Sequence, residues 1–129
     1  MTERRIYYQD TDAWGVVYYA NYLRYIEQGR SDFLRAKGLS IGKLQEQGYL
    51  IPVMRLEIDY LVSAVLDDLI RVDTTLLEIT NATCTLGQQV IRVSDGEMLV
   101  DAKVTLACIG PAKKARRLPR ELMQALKGE

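Results

Sequence analysis

The chain has 129 residues, of which 48% are hydrophobic, and its 17 basic and 17 acidic side chains give a formal net charge of zero. This length suits one domain, residues 1–129, with a single core. The neutral balance offers no field that would attract nucleic acid, and no apolar run approaches the ~20 residues that span a bilayer. The charged N-terminus MTERRIYYQD lacks the apolar segment of a secretory signal. We therefore expect a cytoplasmic protein with no nucleic-acid partner and no membrane insertion.

The chain contains two cysteines and no histidine. Cys84 and Cys108 each lie in an apolar stretch without a CxxC pattern, so we expect buried thiols and no metal or cofactor site. The absence of histidine removes the commonest general base and the commonest metal ligand. Any catalysis therefore depends on Asp, Glu, Tyr, Lys or backbone dipoles.

The first third of the chain predicts a short strand at residues 5–9 and, from about Tyr18, an amphipathic helix of about five turns. Gly38 provides a C-terminal stop for this helix, and Gly29 on its apolar face allows close packing. Apolar residues recur at three- and four-residue intervals along one face: Tyr22, Leu23, Ile26, Gly29, Phe33 and Ala36. Polar residues fill the other face: Arg24, Glu27, Gln28, Arg30, Asp32 and Arg35.

The remainder of the chain predicts four strands. Residues 40–50 are ambiguous and suit one short helical turn. Alternating patterns predict strands at 52–61 and 69–79. Two further strands are joined by Asp95-Gly96, a two-residue hairpin signal; their ranges are 83–94 and 97–109. The basic stretch KKARR then reads as exposed, and PRELMQALK predicts a short final helix that starts with proline.

One long helix and a five-stranded antiparallel meander make an α+β fold. A lone sheet of this size leaves edge strands that favour pairing with a second copy, so a homo-oligomer is expected.

Asp10 and Asp12 lie just ahead of Gly15, directly after which we place the N-terminus of the long helix. A helix N-terminus has unpaired N–H groups and a partial positive charge, which can polarise a carbonyl. Glycine lets the backbone approach a ligand closely. A carboxylate beside such a helix end is a minimal acyl-transfer site. Alternatively, Asp10 to Asp12 form a turn whose side chains bond their own backbone or cap the helix.

The string Y-x-D-T-D-x-x-G-V-V-Y-x-A-N-Y-L at residues 8–23 resembles the signature of hotdog-fold acyl-CoA thioesterases. The relevant branch contains the 4-hydroxybenzoyl-CoA thioesterase and the thioesterase associated with the Tol-Pal system. The stretches YLRYIEQGRSDFLRAKGL, LEIDYLVSAVLDDLIRV and RRLPRELMQAL resemble the same family. The resemblance covers roughly residues 5–122. It implies a long central helix wrapped by a five-stranded antiparallel sheet, and hydrolysis of an acyl-CoA thioester without a cofactor.

By position, the resemblance implies that Asp12 is the catalytic carboxylate, acting as nucleophile or general base. It also implies that a backbone N–H at the start of the central helix, at about Tyr19, polarises the thioester carbonyl. The motif positions expected to surround the substrate are Gly15, Val16, Val17, Tyr18 and Asn21. Asp10 matches the motif as a structural turn residue. Members of the family form dimers, often paired into tetramers, with the active site between protomers.

The sequence departs from this family pattern at two places. Tyr19 stands where the Tol-Pal branch usually has histidine and the 4-hydroxybenzoyl-CoA branch has tyrosine. The stretch EITNAT, residues 78–83, lacks the basic residues that the 4-hydroxybenzoyl enzyme presents to the CoA phosphates. Candidates for that role are the backbone near Thr83 or the basic run, which otherwise is a solvated tail: Lys113, Lys114, Arg116 and Arg117.

Several alternatives remain open from sequence. A non-catalytic acyl-CoA binding module can be built on the same fold. A dehydratase or hydratase of this fold typically needs histidine, which is missing. Glu27 suits a surface or interface role better than catalysis. The acyl group is undetermined, because the tyrosines at 18, 19, 22 and 25 suit either an aromatic pocket or core packing.

Overall fold

The computed structural model describes residues 2–128, which contain five β-strands and three α-helices. In chain order these are β1 (Thr2–Arg5), α1 (Asn21–Ala36), α2 (Ile41–Glu46), β2 (Val53–Tyr60), β3 (Leu69–Ile79), β4 (Thr83–Arg92), β5 (Met98–Ala107) and α3 (Arg120–Lys127). The predicted α+β architecture of one long helix and a five-stranded antiparallel sheet is confirmed. Within residues 2–128, no helix has the length and apolarity that crossing a bilayer requires.

The five strands form one antiparallel sheet in the order β1-β3-β4-β5-β2. The centre is a meander of β3, β4 and β5, in which Gln88 pairs with Thr74 on one side and Ala102 on the other. β1 and β2 occupy the two edges. Thr2 pairs with Val72 of β3, whereas β2 pairs with β5. The two strands that flank α1 in the sequence therefore lie at opposite edges of the sheet.

α1 packs across one face of the sheet, against β3 and β4. The closest approach is at Gly29, where an added Cβ would lie 2.5 Å from Cγ1 of Val72. This confirms that a missing side chain at Gly29 allows close packing. The buried Gln88 amide also donates to the Ile26 carbonyl oxygen at 2.9 Å. α1 is therefore held to β4 by a buried polar link as well as by apolar contact.

The buried face of α1 differs from the predicted one. Its buried residues are Tyr22, Tyr25, Ile26, Gly29 and Leu34. The prediction was wrong for Leu23 and Ala36, which are exposed, and it omitted Tyr25 and Leu34, which are buried. Tyr25 faces inward, where the Arg4 guanidinium of β1 lies 4.2 Å from its ring centroid. Arg30, predicted to face solvent, is half-buried and donates to Gln88 at 3.2 Å.

Two boundaries in the first third of the chain were also predicted wrongly. Most of the predicted strand at 5–9 follows β1 rather than forming it, because Tyr8–Asp10 turn as a 3₁₀ helix. α1 begins at Asn21, later than directly after the glycine of the motif. The delay arises because Val17 is part of an isolated bridge and donates its N–H to the Ala64 carbonyl at 2.9 Å.

The second half follows the prediction more closely. β3 has the predicted bounds, α2 occupies the ambiguous segment, and α3 follows Pro119. The hairpin between β4 and β5 is present, but its loop is longer than two residues. The Arg92 N–H bonds to the Glu97 carbonyl at 2.9 Å, which closes the loop around residues 93–96. Gly96 supplies a backbone with φ of +74° inside this loop.

Candidate active site

Residues 10–18 fold back on themselves just before α1. The Tyr18 N–H donates to the Asp10 carbonyl at 3.1 Å, and the Asp12 N–H donates to the Val16 carbonyl at 2.9 Å. The loop therefore has the form of a short hairpin. It places both aspartates of the motif beside the residues that lead into α1.

Gly15 and the two valines after it shape this hairpin. Gly15 has φ of +80°, and an added Cβ would meet nothing within 4 Å, so glycine serves the backbone conformation rather than close packing. Val16 forms a bridge with Val65, and Val17 is buried. Three of the residues expected around the substrate thus have structural roles: Gly15 allows the turn, and Val16 and Val17 connect the hairpin to the segment before β3.

The Asp12 carboxylate is held by its own turn. Its Oδ1 accepts the backbone N–H of Trp14 at 2.8 Å, which is the local bond that the structural alternative predicts. The side chain is only half-buried. Directly opposite residues of a hairpin share a face, so Asp12 lies on the same side as Val16 and Tyr18. The turn therefore orients the carboxylate and leaves it accessible.

Asp10, in contrast, is fully buried. Its Oδ2 accepts the Tyr7 N–H at 2.9 Å, and its Oδ1 lies 3.6 Å from Nη2 of Arg24. Its backbone carbonyl accepts both the Tyr18 N–H and, at 2.9 Å, the side-chain amide of Asn21. Asp10 thus has the predicted structural role. Asn21, the first residue of α1, ties the helix to the same loop.

The start of α1 offers hydrogen-bond donors. Ala20 is the N-cap residue, and Tyr19 precedes it. Within residues 2–128, the N–H groups of Tyr19 and Ala20 donate to no acceptor, whereas those of Tyr18 and Asn21 are both bonded. Such donors carry the partial positive charge of a helix N-terminus. An oxygen atom of a ligand can therefore accept a hydrogen bond at this end of the helix.

A cavity of about 110 Å³ opens beside this helix end. Its lining residues are Val17, Tyr19, Tyr22, Tyr60, Leu61, Val62 and Ser63. The Tyr60 ring centroid lies 6.0 Å from that of Tyr19 and 5.7 Å from that of Tyr22. The Tyr22 hydroxyl accepts the Ala64 N–H at 3.0 Å, which fixes that ring. Burial raises the pKa of Tyr22 and of Tyr60, so the cavity presents neutral phenols at neutral pH.

The contribution of residues 60–63 to this cavity was not predicted from the sequence. Their only signal was an apolar run at the end of a predicted strand. Their place beside α1 depends on β2 lying at the sheet edge next to β5. There, the Leu61 N–H donates to the Leu99 carbonyl at 2.8 Å. Sequence periodicity does not predict such a contact between segments that are distant along the chain.

The basic candidates for CoA phosphates lie elsewhere in the chain. Lys113 and Lys114 are exposed in the segment after β5. Arg116 is already engaged, because its guanidinium lies 3.9 Å from the Tyr49 ring centroid and donates to the Gly48 carbonyl at 3.0 Å. The cavity lies near the beginning of β5, and this segment follows its end. Within one chain the length of β5 therefore separates the lysines from the helix end.

Other groups offer less chemistry. A larger cleft of about 270 Å³ lies between α1 and β3, lined in part by Phe33 and Val72, and it includes no residue of the motif loop. Burial raises the pKa of the Cys84 thiol to about 11, which disfavours the nucleophilic thiolate. Among residues 2–128, no three His, Cys, Asp or Glu side chains lie close enough together to hold a metal ion.

Over nearly its whole length, the chain is similar to known thioesterases. A profile of the Thioesterase-like superfamily matches residues 7–126. The acyl-CoA thioesterase YbgC of Haemophilus influenzae is 41% identical over 123 residues, covering 94% of this chain and 89% of that protein. The acyl-CoA thioester hydrolase YbgC of Escherichia coli O6:H1 is 31% identical over 124 residues, covering 95% and 92% respectively. Among solved structures, a probable thioesterase from Bartonella henselae has a TM-score of 0.86 at 36% identity, covering 92% of this chain and 97% of that one.

Proposed function

Because the chain belongs to the Thioesterase-like superfamily and is an acyl-CoA thioester hydrolase, we propose that Asp12 carries the hydrolysis. The backbone N–H of Tyr19 polarises the thioester carbonyl. The observation that carries this proposal is the hairpin at residues 10–18. It holds an accessible carboxylate next to a helix end whose first N–H groups, within the described residues, have no acceptor.

Chemically, the thioester oxygen accepts a hydrogen bond from the Tyr19 N–H, and the helix end stabilises the negative charge that develops on it. Asp12 then follows one of two routes. As a nucleophile, it bonds to the carbonyl carbon, the carbon–sulfur bond breaks, and water hydrolyses the resulting anhydride. As a general base, it takes a proton from the water that attacks. Both routes consume one water and yield the free acid and CoA.

A carboxylate suffices here without histidine because thiolate is a good leaving group. The Trp14 N–H occupies Oδ1 of Asp12 and thereby fixes the rotamer of the side chain. Oδ2 then remains as the atom that meets the substrate or water. Asp10 stabilises the loop, because its backbone carbonyl accepts hydrogen bonds from the Tyr18 N–H and the Asn21 side-chain amide, on either side of Tyr19 and Ala20.

The test is Asp12→Asn. Asparagine keeps an oxygen for the Trp14 N–H, so the variant should fold with the wild-type melting temperature. Its kcat should fall about 10²-fold or more, the usual effect of removing a positioned acid–base group. Free-thiol release from a panel of acyl-CoA esters measures this. The control is Glu27→Gln on α1, whose carboxylate accepts the Ser31 hydroxyl at 2.8 Å and which should keep wild-type kcat.

Undiminished thiol release by a folded Asp12→Asn variant would remove Asp12 from the mechanism. If the wild-type protein bound acyl-CoA tightly and released no thiol, the non-catalytic binding module would be favoured instead.

The edge strand β2 supports a homodimer as the working form. Within residues 2–128, β2 pairs only with β5. Leu56 and Tyr60 stand opposite the buried Val104 and Val100, so they share the inner face of the sheet. They are nevertheless 38% and 44% exposed, because α1 packs over β3 and β4 instead. A second copy that pairs its own β2 antiparallel to this one would continue the sheet and cover these side chains.

The same pairing brings basic residues to the helix end. In a two-fold antiparallel contact, the Val53 end of one β2 lies beside the Tyr60 end of the other. Val53 pairs with Leu106 near the end of β5, and the exposed Lys113 and Lys114 follow. The lysines of one copy are therefore placed to attract the CoA phosphates of a substrate bound at the helix end of the other. The active site is then shared between two copies.

A further inference from the structure

We infer that the indole of Trp14 contacts the acyl group of the substrate and thereby sets which acyl-CoA esters are hydrolysed. This inference rests on the proposed role of Asp12. Trp14 is the sole tryptophan of the chain. It is 89% exposed, more than any other large apolar side chain among the described residues. An exposed indole beside the candidate carboxylate offers a large apolar surface to a substrate that binds there.

The geometry limits which part of the substrate the indole can meet. The backbone N of Trp14 donates to Oδ1 of Asp12 at 2.8 Å, so the indole starts three bonds away from the atom that donates to the carboxylate. A thioester carbon that reaches Asp12 brings its two substituents within one side-chain length of the ring. The adenine of CoA lies beyond the pantetheine and the pyrophosphate, out of reach. The choice is therefore between the acyl group and the nearest part of pantetheine.

Chemistry favours the acyl group. The pantetheine arm carries amides, which favour hydrogen-bonding partners or water. The acyl group is the apolar substituent of the thioester, and hydrophobic stabilisation grows with the apolar area that is covered. Contact with the indole should therefore change the hydrolysis of acetyl-CoA little. Its effect should grow for esters with larger or aromatic acyl groups.

Main-chain hydrogen bonds fix the backbone of the turn that carries Trp14. The Gly15 N–H donates to the Asp12 carbonyl at 3.1 Å, and the Asp12 N–H donates to the Val16 carbonyl at 2.9 Å. Both ends of the turn are thus fixed by main-chain bonds. The bond that orients the Asp12 carboxylate also comes from the backbone of Trp14. Trp14→Ala consequently removes the indole and retains the backbone N–H that positions the carboxylate.

Fluorescence gives a direct test, because emission from the sole tryptophan reports on this position alone. The folded Asp12→Asn protein, which retains the loop, is titrated with benzoyl-CoA, hexanoyl-CoA and free CoA. We expect a blue shift with the two esters and none with CoA. An equal shift with free CoA would assign the indole to pantetheine, and no shift with either ester would overturn the inference. Emission already blue-shifted without ligand would also overturn the inference, because a second copy would then cover the ring in place of the acyl group.

Kinetics give an independent test on otherwise wild-type protein. Trp14→Ala should lower kcat/KM for hexanoyl-CoA and benzoyl-CoA by about tenfold relative to acetyl-CoA, a size typical of lost apolar contacts. The control is Tyr8→Ala, another exposed aromatic near the loop, which should leave the ratio unchanged. Equal effects of Trp14→Ala on all three esters, or no effect, would overturn the inference.

The two proposals fail in different ways. Full turnover by Asp12→Asn removes the role of Asp12, whatever Trp14→Ala does. An inactive Asp12→Asn together with unchanged selectivity in Trp14→Ala removes only the acyl contact.

Discussion

The buried Asp10 lies where β1, the motif loop and α1 meet, beside the partly buried Arg4 and the exposed Arg24. Its carboxylate lies 3.6 Å from the Arg24 guanidinium, and the Arg4 guanidinium stacks on the ring of the buried Tyr25. Burial, with the neighbouring Asp10 carboxylate, raises the pKa of Tyr25 to about 12. This arrangement therefore depends on a neutral phenol in contact with charged groups.

This phenol gives the stability of the protein a dependence on alkaline pH. The ordinary pKa of tyrosine is 10.0, so the unfolded chain loses the Tyr25 proton at lower pH than the folded chain, whose value is about 12. The contribution of Tyr25 is complete below pH 10 and is lost as the pH rises towards 12. Tyr25→Phe cannot ionise and should show a shallower alkaline decrease in the free energy of unfolding. Urea denaturation across this pH range measures it.

A matched control for the alkaline experiment is Tyr8→Phe, which removes a hydroxyl from an exposed ring. It should reproduce the wild-type pH dependence. If Tyr25→Phe lost stability as steeply as the wild type, the Tyr25 phenol would not be the group responsible.

At the scale of single elements, the contact between α1 and β3 depends on Gly29. A Cβ at this position would lie 2.5 Å from Cγ1 and 2.8 Å from Cβ of Val72. Overpacking of this kind costs ~1–3 kcal/mol, which outweighs the ~1 kcal/mol that alanine gains over glycine inside a helix. Gly29→Ala should therefore lower the free energy of unfolding, as measured by urea denaturation.

Gly42 in α2 is the control for this experiment, since an added Cβ there meets nothing within 4 Å. Gly42→Ala should raise the free energy of unfolding by ~0.5–1 kcal/mol through helix propensity alone. A change of the same sign in both variants would show that the contact with Val72 does not decide the effect at Gly29.

Periodicity located the elements that a regular pattern builds, and it failed where single bonds override the pattern. β3 has its predicted bounds because its register with β4 is regular up to Leu76. The start of α1 was misplaced because Val17 bridges Thr11 across the hairpin and Val16 bridges Val65, so neither residue enters the helix. Tyr25 was omitted because its ring contacts Arg4, a residue of a strand far from it in sequence, and such a contact is absent from the helical pattern.

The candidate site also combines residues that a contiguous motif predicts with residues that only the fold brings in. Asp12 and the N–H at Tyr19 were predicted from a contiguous motif, and their roles in hydrolysis remain predictions. Tyr60 entered the site only through the position of β2 at the sheet edge. Trp14 stands within the motif, yet sequence gave no reason to single it out. Its significance lies in its exposure and in its bond to Asp12, both of which require coordinates.

At the scale of the whole molecule, the chain has the hotdog fold of the thioesterases, and the proposed dimer can be tested by mass. The chain mass is 14.7 kDa. The wild type should run as a dimer or as a higher even multiple in light scattering. Leu56→Asp places a charge on the surface that a second copy would cover, so it should shift the protein towards monomer. Its kcat/KM should also fall, because the lysines of the second copy are lost.

The control is Leu77→Asp, which changes an exposed leucine that packs over Gly87 on the other face of the sheet. This variant should remain at least dimeric and active. A monomeric wild type with full activity would contradict the shared site.

The strand order has a consequence for how the protein assembles in time. β3, β4 and β5 follow one another through short turns, whereas Thr2 must find Val72, and Tyr60 must find Val100. Closing long loops costs more chain entropy, so the central meander forms before either edge strand joins it. The motif loop and α1 lie between those two late strands in the sequence. We therefore expect the candidate site to be completed only when β2 has joined the sheet, because Tyr60 at the end of β2 lines its cavity.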